Sequence, residues 1–226
     1  MAYIISVVAQ KGGVGKSTVS RLIAAEFARM DGWEVKIADL DISQATSFHW
    51  MQRRHKSSIA PEIRVEGYQR VDKALADAAH VDVMVIDGAP HASAQTLQMS
   101  LAADVVVIPT GTAVDDLEPA VMLARELKQK GTPIERIVFV LSRTGDSEGE
   151  IAEARQYLER TGFRVAEGSI PERTAFRRAS DVGQALTETN FPSLNERARS
   201  CFASIVETLQ QPKAKAQKTT KRKQAA

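Results

Sequence analysis

Residues 11–18, KGGVGKST, combine three glycines with two lysines and two hydroxyl side chains. Glycines let successive backbone N–H groups turn inward around an anion, and a neighbouring lysine counters the charge of a phosphate. The segment follows an apolar run and precedes a helical pattern, which is the context that a phosphate-binding loop requires. We therefore expect the phosphates of a nucleotide to contact the residues of this loop: Lys11, Gly12, Gly13, Val14, Gly15, Lys16, Ser17 and Thr18.

Lys16 and Ser17 match the known chemistry of phosphate-binding loops, whereas Gln10 and Lys11 are not explained by it. Lys16 is placed to neutralise the β- and γ-phosphates, and the Ser17 hydroxyl is placed to ligate Mg²⁺. The usual pattern G-x-x-x-x-G-K-[ST] has a glycine at position 10, whereas this chain has Gln10. Lys11 is a second cation that phosphate binding within one chain does not need. A solvated loop lysine is the simplest alternative for it.

Acidic side chains follow two other apolar runs. Asp39 and Asp41 flank the end of EVKIADL, and Asp87 ends VMVID. Ligands of parallel sheets bind beyond the carboxyl ends of the strands, so these carboxylates and the loop are expected to converge. Asp87 suits direct or outer-shell coordination of Mg²⁺, the alternative being a turn or helix-capping aspartate.

The elements that must position these residues alternate regularly along the chain. Apolar runs predict strands over 3–9, 34–40, 63–67, 82–88, 104–109 and 136–142. Amphipathic stretches predict helices over 17–30, 46–55, 70–79, 93–102, 116–130, 149–161, 174–181 and 193–210. Several strands are apolar almost throughout, as in sheets covered on both faces. The pattern predicts an α/β fold with a doubly wound, mainly parallel sheet and helices on both faces.

The last residues differ in composition from the rest of the chain. Residues 212–226 contain six of the 30 basic residues and none of the 28 acidic ones, so the remainder is net negative. We therefore expect a domain over 1–211 and a disordered basic tail over 212–226, which lacks the large apolar residues of a stable membrane anchor. The cations of the tail are Lys213, Lys215, Lys218, Lys221, Arg222 and Lys223.

Cysteine content and hydropathy exclude several classes of protein. Cys201 is the single cysteine, so neither a disulfide framework nor a cysteine-ligated metal cluster can form within the chain. No apolar run approaches the length of a membrane span, and the N-terminus has no signal-peptide pattern. The sequence therefore predicts a cytoplasmic protein.

The motifs KGGVGKST, DLD and VIDGAP, in this order, resemble the ParA/MinD family of deviant phosphate-loop ATPases over most of residues 1–210. The resemblance implies ATP and Mg²⁺ as cofactors, an ATP-dependent homodimer and slow hydrolysis that a partner stimulates. It further implies that Lys11 reaches the phosphates of the facing subunit and that Asp41 positions the attacking water. Asp39 would support the magnesium region, and Pro109 would lie near the base.

Branches of this family differ in features that the sequence reveals. The iron protein of nitrogenase needs cluster-ligating cysteines that this chain lacks. A MinD-like ATPase acting at a membrane surface and an ATP-dependent ligase or synthetase of the same fold are the alternatives. The segment IPERTAFRRAS resembles the C-terminal region of small plasmid-type ParA proteins. Of the branches considered, this one fits the sequence best.

Two basic features are candidate contacts for DNA. One is the tail, and the other is the arginine cluster of Arg173, Arg177 and Arg178 on a predicted helix. Because strand one begins near Tyr3, we expect no sequence-reading domain before it and therefore non-specific binding. A merely solvated helix face is the alternative for the arginines. The expected function is partition of a plasmid or chromosome with a ParB-like adaptor, a protein assembly such as a carboxysome being another possible cargo.

Overall fold

The computed structural model describes residues 2–30, 32–89 and 94–210. Its strands are β1 (Tyr3–Val7), β2 (Val35–Asp39), β3 (Arg64–Gly67), β4 (Val83–Asp87), β5 (Val105–Thr110), β6 (Ile137–Thr144), β7 (Arg164–Val165) and β8 (Ile170–Pro171). Its helices are α1 (Lys16–Ala28), α2 (Thr46–Lys56), α3 (Val71–Asp77), α4 (Ala94–Ala102), α5 (Val114–Gln129), α6 (Glu148–Glu159), α7 (Thr174–Asp181) and α8 (Pro192–Gln210). None of these helices is long and apolar enough to cross a membrane.

The strands form one parallel sheet in the order β3-β2-β4-β1-β5-β6-β7, and β8 also pairs with β6. Every pairing among the described residues is parallel, as the alternation of strands and helices predicts. Strand β1 lies between β4 and β5, so the loop that follows it is at the centre of the carboxyl edge. The predicted doubly wound α/β fold is confirmed.

Apolar side chains alternate between the two faces of the sheet. Val83 and Val85 pack on the face that α1 and α8 cover, whereas Met84 and Ile86 pack on the other. Phe27 of α1 and Phe202 of α8 meet edge to face at 5.1 Å between ring centroids. Burial on both faces explains why the central strands are apolar almost throughout.

Two features of the fold differ from the sequence-based prediction. Strands β7 and β8 are not predicted, because two residues are too few to establish a period-two pattern. Helix α5 begins at Val114 instead of residue 116, and it contains Pro119, as the predicted range does. The proline lacks the N–H that would bond the Asp115 carbonyl four residues earlier.

Candidate functional site

The glycine-rich segment connects β1 to the first turn of α1. Gly13 and Gly15 have φ angles of 77° and 97°, in the left-handed region that favours glycine. A Cβ atom on Gly15 would lie 2.5 Å from the Ser142 hydroxyl oxygen, so no larger residue fits there. Such backbone angles just before the N-terminus of α1 are typical of a loop that binds an anion through its N–H groups.

A cavity of about 670 Å³ lies over this loop. Six of the predicted phosphate-binding residues line it, namely Gly12, Gly13, Gly15, Lys16, Ser17 and Thr18, whereas Val14 is buried and does not. The cavity is also lined by apolar side chains of β8, α7 and the segment after α7: Ile170, Pro171, Phe176, Ala185 and Leu186. A lining that combines polar loop residues with apolar side chains suits a ligand that carries both phosphates and an aromatic base.

Lys16 and Lys11 occupy different environments. Lys16 lines the cavity and is 9% exposed, and its burial lowers the pKa of its ammonium group while Asp87 and Asp41 raise it. Lys11 does not line the cavity. Its Nζ donates to Asp116 Oδ1 at 2.7 Å and to the Asp115 carbonyl at 2.8 Å, the carbonyl that Pro119 leaves without an intrahelical donor. Lys11 therefore faces away from the phosphate end of its own subunit.

Asp39 and Asp87 are opposite each other in the pairing of β2 with β4, and each is 1% exposed. Asp39 Oδ1 accepts a hydrogen bond from the Asp41 N–H at 3.0 Å, and Oδ2 accepts one from the Ser47 N–H at 3.2 Å. Ala45, the residue before α2, provides no side-chain cap, so Asp39 satisfies this helix end instead. Both oxygens of Asp39 are thus engaged in positioning the backbone.

Asp87 has one engaged oxygen and one without a partner. Its Oδ2 accepts from the Ser47 hydroxyl at 2.7 Å, whereas its buried Oδ1 has no hydrogen-bond partner among the described residues. Burial raises the pKa of Asp87 to about 6. A cation-bound water is the kind of donor that such a buried oxygen lacks.

The residues present fit a Mg²⁺ ion whose main ligands come from a nucleotide and water. Among the described residues, no cluster of three or more His, Cys, Asp or Glu side chains could hold a metal by itself. The Ser17 hydroxyl lies at the phosphate end of the cavity, where it accepts a hydrogen bond from Thr46 Oγ1 at 2.9 Å. Ser17 is the candidate direct ligand, and Asp87 is the candidate acceptor for a metal-bound water.

Asp41 lines the cavity and is fixed by the residues that follow it. Its Oδ1 accepts from the Ser43 hydroxyl at 2.8 Å, and its Oδ2 accepts from the Gln44 side-chain amide at 2.9 Å. A carboxylate held in this way keeps one orientation towards the cavity. Its predicted role in positioning the attacking water stays a prediction.

The structure places Pro109 elsewhere than beside the cavity. It lies within β5, where it is buried opposite Val140, and it does not line the cavity. The predicted contact between Pro109 and the base is therefore not supported by its position. The pairing between β5 and β6 holds this residue inside the sheet. The apolar side chains that line the cavity come from residues further along the chain.

The three residues of the arginine cluster line the cavity: Arg173 directly precedes α7, and Arg177 and Arg178 lie within it. Arg177 lies 3.3 Å from Glu172, and Arg173 pairs with Asp146. Glu172 also binds Arg143 at 3.1 Å. The cations predicted in the tail lie outside the described residues.

Two cavity residues escaped the sequence analysis. Arg21 is 8% exposed, and burial lowers the pKa of its guanidinium to about 10. Its position four residues after Ser17, on the same face of α1, is the signal that predicts it. Arg143 has a left-handed φ of 57° and donates to the carbonyl of Gly13. Nothing in the local sequence indicates that contact.

Comparisons with known proteins agree with this geometry. The chain is 26% identical over 208 residues to maintenance of carboxysome distribution protein A from Gloeobacter kilaueensis, covering 91% of this chain and 93% of the relative. The septum site-determining protein MinD of Pyrococcus horikoshii, complexed with Mg-ADP, matches with a TM-score of 0.70 and 18% identity over 93% of this chain and 97% of that one.

A putative plasmid partition protein of Borrelia burgdorferi bound to AMPPNP matches with a TM-score of 0.67 and 19% identity, covering 92% of this chain and 98% of that chain. These structures share the fold. Residues 5–186 match the family model described as the CobQ/CobB/MinD/ParA nucleotide binding domain. The loop over the cavity, the parallel sheet and this match lead to one conclusion: the chain belongs to the CobQ/CobB/MinD/ParA family of nucleotide-binding domains.

Proposed function

We propose that this protein is an ATPase that binds ATP with Mg²⁺, dimerises, binds DNA non-specifically and positions a cargo. The observation that carries the proposal is the contrast between the two lysines of one loop. Lys16 is buried at the phosphate end of the cavity, whereas Lys11 is 43% exposed and points away from it. The first suits phosphates of the same chain, and the second suits those of a facing subunit.

Dimerisation would exchange one anionic partner of Lys11 for another. In the single chain its ammonium is bound by the Asp116 carboxylate and the Asp115 carbonyl. The phosphates of ATP carry more negative charge than a carboxylate, so a facing subunit with bound ATP offers a stronger electrostatic partner. This makes the nucleotide part of the interface and ties dimer formation to its γ-phosphate.

Hydrolysis in this proposal requires a positioned water and a neutralised phosphate. Asp41 lies at the cavity in a fixed orientation and would hold the attacking water. Lys16 and the loop N–H groups would stabilise negative charge on the transferred phosphoryl group. Mg²⁺ would neutralise further phosphate charge, with Ser17 as ligand and Asp87 accepting from its water.

DNA binding would use the arginine cluster and the tail. Arg173 and Arg177 have carboxylate partners that are themselves exposed, so DNA phosphates can compete for them. Contacts of this type go to the phosphate backbone and therefore carry no sequence preference. A dimer brings two such surfaces together, which strengthens binding without any new type of contact.

The cargo is proposed only as a class. The relative from Gloeobacter kilaueensis is named for carboxysome distribution, and the Borrelia burgdorferi structure is named a putative plasmid partition protein. Both names concern the placement of a large body within a cell. We propose that a ParB-like adaptor on such a cargo stimulates hydrolysis, which opens the dimer and releases it from DNA.

The test compares the full chain with a chain that ends at Gln211, titrated onto unrelated DNA duplexes with ATP at several salt concentrations. Each phosphate contact changes the slope of log affinity against log salt by about −0.9, so the six tail cations contribute at most about −5 per subunit. We expect the shorter chain to dimerise with ATP, bind DNA more weakly and show a shallower slope.

A matched control changes two cations far from the cavity. Lys128→Ala with Lys130→Ala removes charge at the end of α5, on the opposite edge of the sheet, and should leave DNA affinity nearly unchanged. Equal affinity and slope for the full and shortened chains would exclude the tail from binding. A strong preference for one duplex sequence would contradict the proposal of non-specific binding.

A further inference from the structure

The first turn of α2 is bonded to three different elements at the phosphate end of the cavity. The Thr46 hydroxyl donates to Ser17 at the start of α1. The Ser47 N–H donates to Asp39 at the end of β2, and the Ser47 hydroxyl donates to Asp87 at the end of β4. A shift of this turn would therefore move both candidate magnesium-binding side chains.

The Ser47 hydroxyl also connects two buried charges. It is fully buried, and it accepts a hydrogen bond from Arg21 Nε at 3.3 Å while donating to Asp87 at 2.7 Å. A hydroxyl carries one proton, and the guanidinium of Arg21 can only donate, so the direction of the chain is fixed from Arg21 through Ser47 to Asp87.

This arrangement determines which oxygen of Asp87 is available. Ser47 occupies Oδ2, and Oδ1 is the buried oxygen that has no partner among the described residues. The two oxygens of a carboxylate are equivalent until a hydrogen bond distinguishes them, and rotation about the last side-chain bond exchanges them. Without the Ser47 hydroxyl, the Asp87 carboxylate loses the short hydrogen bond that distinguishes its two oxygens, and the charge of Arg21 and the neighbouring Ser17 hydroxyl remain to attract it.

Arg21 is itself held in place from the other side. Its Nη1 donates to the Ser180 hydroxyl of α7 at 3.3 Å, and its guanidinium carbon lies 5.7 Å from the ring centroid of Trp50. The cation is thus fixed between α2 and α7, and it cannot follow Asp87 freely. Ser47 is the only side chain recorded as joining Arg21 to Asp87 within the described residues.

We propose that Ser47 is a positioning residue for Mg²⁺: its hydroxyl orients Asp87 so that the free oxygen accepts a metal-bound water. The inference rests on the proposed function, because the metal accompanies ATP. The capping bond to Asp39 comes from the Ser47 backbone, so a change of its side chain removes the link to Asp87 and retains the cap. The side chain and backbone of one residue thus serve two separable purposes.

The experiment measures the affinity for a fluorescent ATP analogue in EDTA and at increasing Mg²⁺ concentrations. Ser47→Ala should keep the EDTA affinity within about two-fold and raise the Mg²⁺ concentration for half-maximal effect by about 10- to 100-fold, the usual cost of losing an outer-shell partner. Ser47→Thr retains the hydroxyl and should restore most of the Mg²⁺ response.

A matched control is Ser100→Ala. Ser100 is also fully buried, but its hydroxyl bonds the Thr96 carbonyl within α4 and has no link to the cavity residues. This variant should leave both affinities unchanged. If Ser47→Ala does not fold, Ser47→Cys replaces the hydroxyl by a thiol, a weak hydrogen-bond donor of similar shape, and should raise the half-maximal Mg²⁺ concentration several-fold.

The outcomes separate this inference from the proposed function. A wild-type protein that binds no ATP, or that shows no Mg²⁺ response, would overturn both. Suppose that the wild-type protein responds to Mg²⁺ normally and that Ser47→Ala lowers the affinity for the ATP analogue equally in EDTA and in Mg²⁺. Ser47 would then be purely structural, and this inference alone would be overturned. An unchanged Mg²⁺ response in a folded Ser47→Ala, or in Ser47→Cys where Ser47→Ala is unfolded, would overturn it as well.

Discussion

Charged side chains surround the cavity in two contrasting ways. Asp39 at the end of β2, Asp87 at the end of β4 and Arg21 of α1 are at most 8% exposed, and specific hydrogen bonds through Ser47 connect them. On the rim, Arg177 and Glu172 are 60% and 44% exposed and form a solvent-facing ion pair. Both groups carry charge, but only the first is withdrawn from water.

The difference determines what each group can do. A buried charge that loses its partner costs several kcal/mol, so buried charges keep one geometry and are suited to positioning a metal and a water molecule. An exposed ion pair stabilises a protein by about 0–1 kcal/mol, so its members can change partners readily. Exchangeable arginines therefore suit the proposed contacts with DNA phosphates, because such contacts can form and break readily.

Asp41 provides the largest expected effect, because its proposed role lies in the hydrolysis step itself. Asp41→Ala should lower steady-state phosphate release by about 10²- to 10⁴-fold, the usual contribution of a positioned acid–base group, while ATP binding and dimerisation persist. Asp72→Ala, which changes an exposed carboxylate of α3, is the control. An unchanged rate in Asp41→Ala would remove this residue from the mechanism.

A change of Lys11 tests whether a lysine from an exposed ion pair stabilises the ATP-bound dimer. Lys11→Ala should reduce ATP affinity only slightly, because Lys16 and the loop N–H groups remain, but it should weaken the ATP-bound dimer by at least about 10-fold. Light scattering with ATP should then show a monomer where the wild-type protein and Lys130→Ala are dimeric. Normal dimerisation of Lys11→Ala would contradict the cross-subunit role.

Asp87 tests the cost of the buried charge. The pKa of Asp87 is about 6 in the folded protein, above the value of about 4 in an unfolded chain. The folded state therefore binds the proton more tightly than the unfolded state, and the protein loses stability as the pH rises from about 4 to about 6. The ionised carboxylate therefore costs the nucleotide-free protein up to about 3 kcal/mol at pH 7.

Asp87→Asn removes this charge. Urea unfolding in EDTA should show that the variant gains stability relative to the wild type above pH 6, and that the gain shrinks towards pH 4. Asp181→Asn, at the exposed end of α7, is the control and should show no such trend. A difference between Asp87→Asn and wild type that is independent of pH would mean that burial does not govern this carboxylate.

Glu172 should give the smallest effect. Glu172→Gln frees Arg177 from its carboxylate, and DNA affinity at moderate salt should rise by about two- to five-fold, as expected for an exposed pair. Glu159→Gln, at the end of α6, is a control that removes one negative charge elsewhere. Equal DNA affinity for Glu172→Gln and wild type would show that Arg177 does not contact DNA.

Local sequence was sufficient to predict the architecture and the position of the phosphate-binding loop. Strand and helix periodicities repeat over many residues, so the parallel sheet with helices on both faces follows from them. The glycines at positions 13 and 15 are required by backbone angles that few other residues adopt. Asp39, Asp41 and Asp87 reach the same edge because they follow parallel strands.

Tertiary structure alone decided what most of these side chains contact. Asp39 caps α2, Lys11 binds Asp116 more than a hundred residues away, and Ser47 joins Arg21 to Asp87. Each of these bonds links different elements, so it depends on how the helices pack on the sheet and on the exclusion of water. Sequence periodicity predicts neither the packing nor the exclusion of water. The motif specifies which groups are present near the phosphates, and packing specifies which of their atoms are free to act.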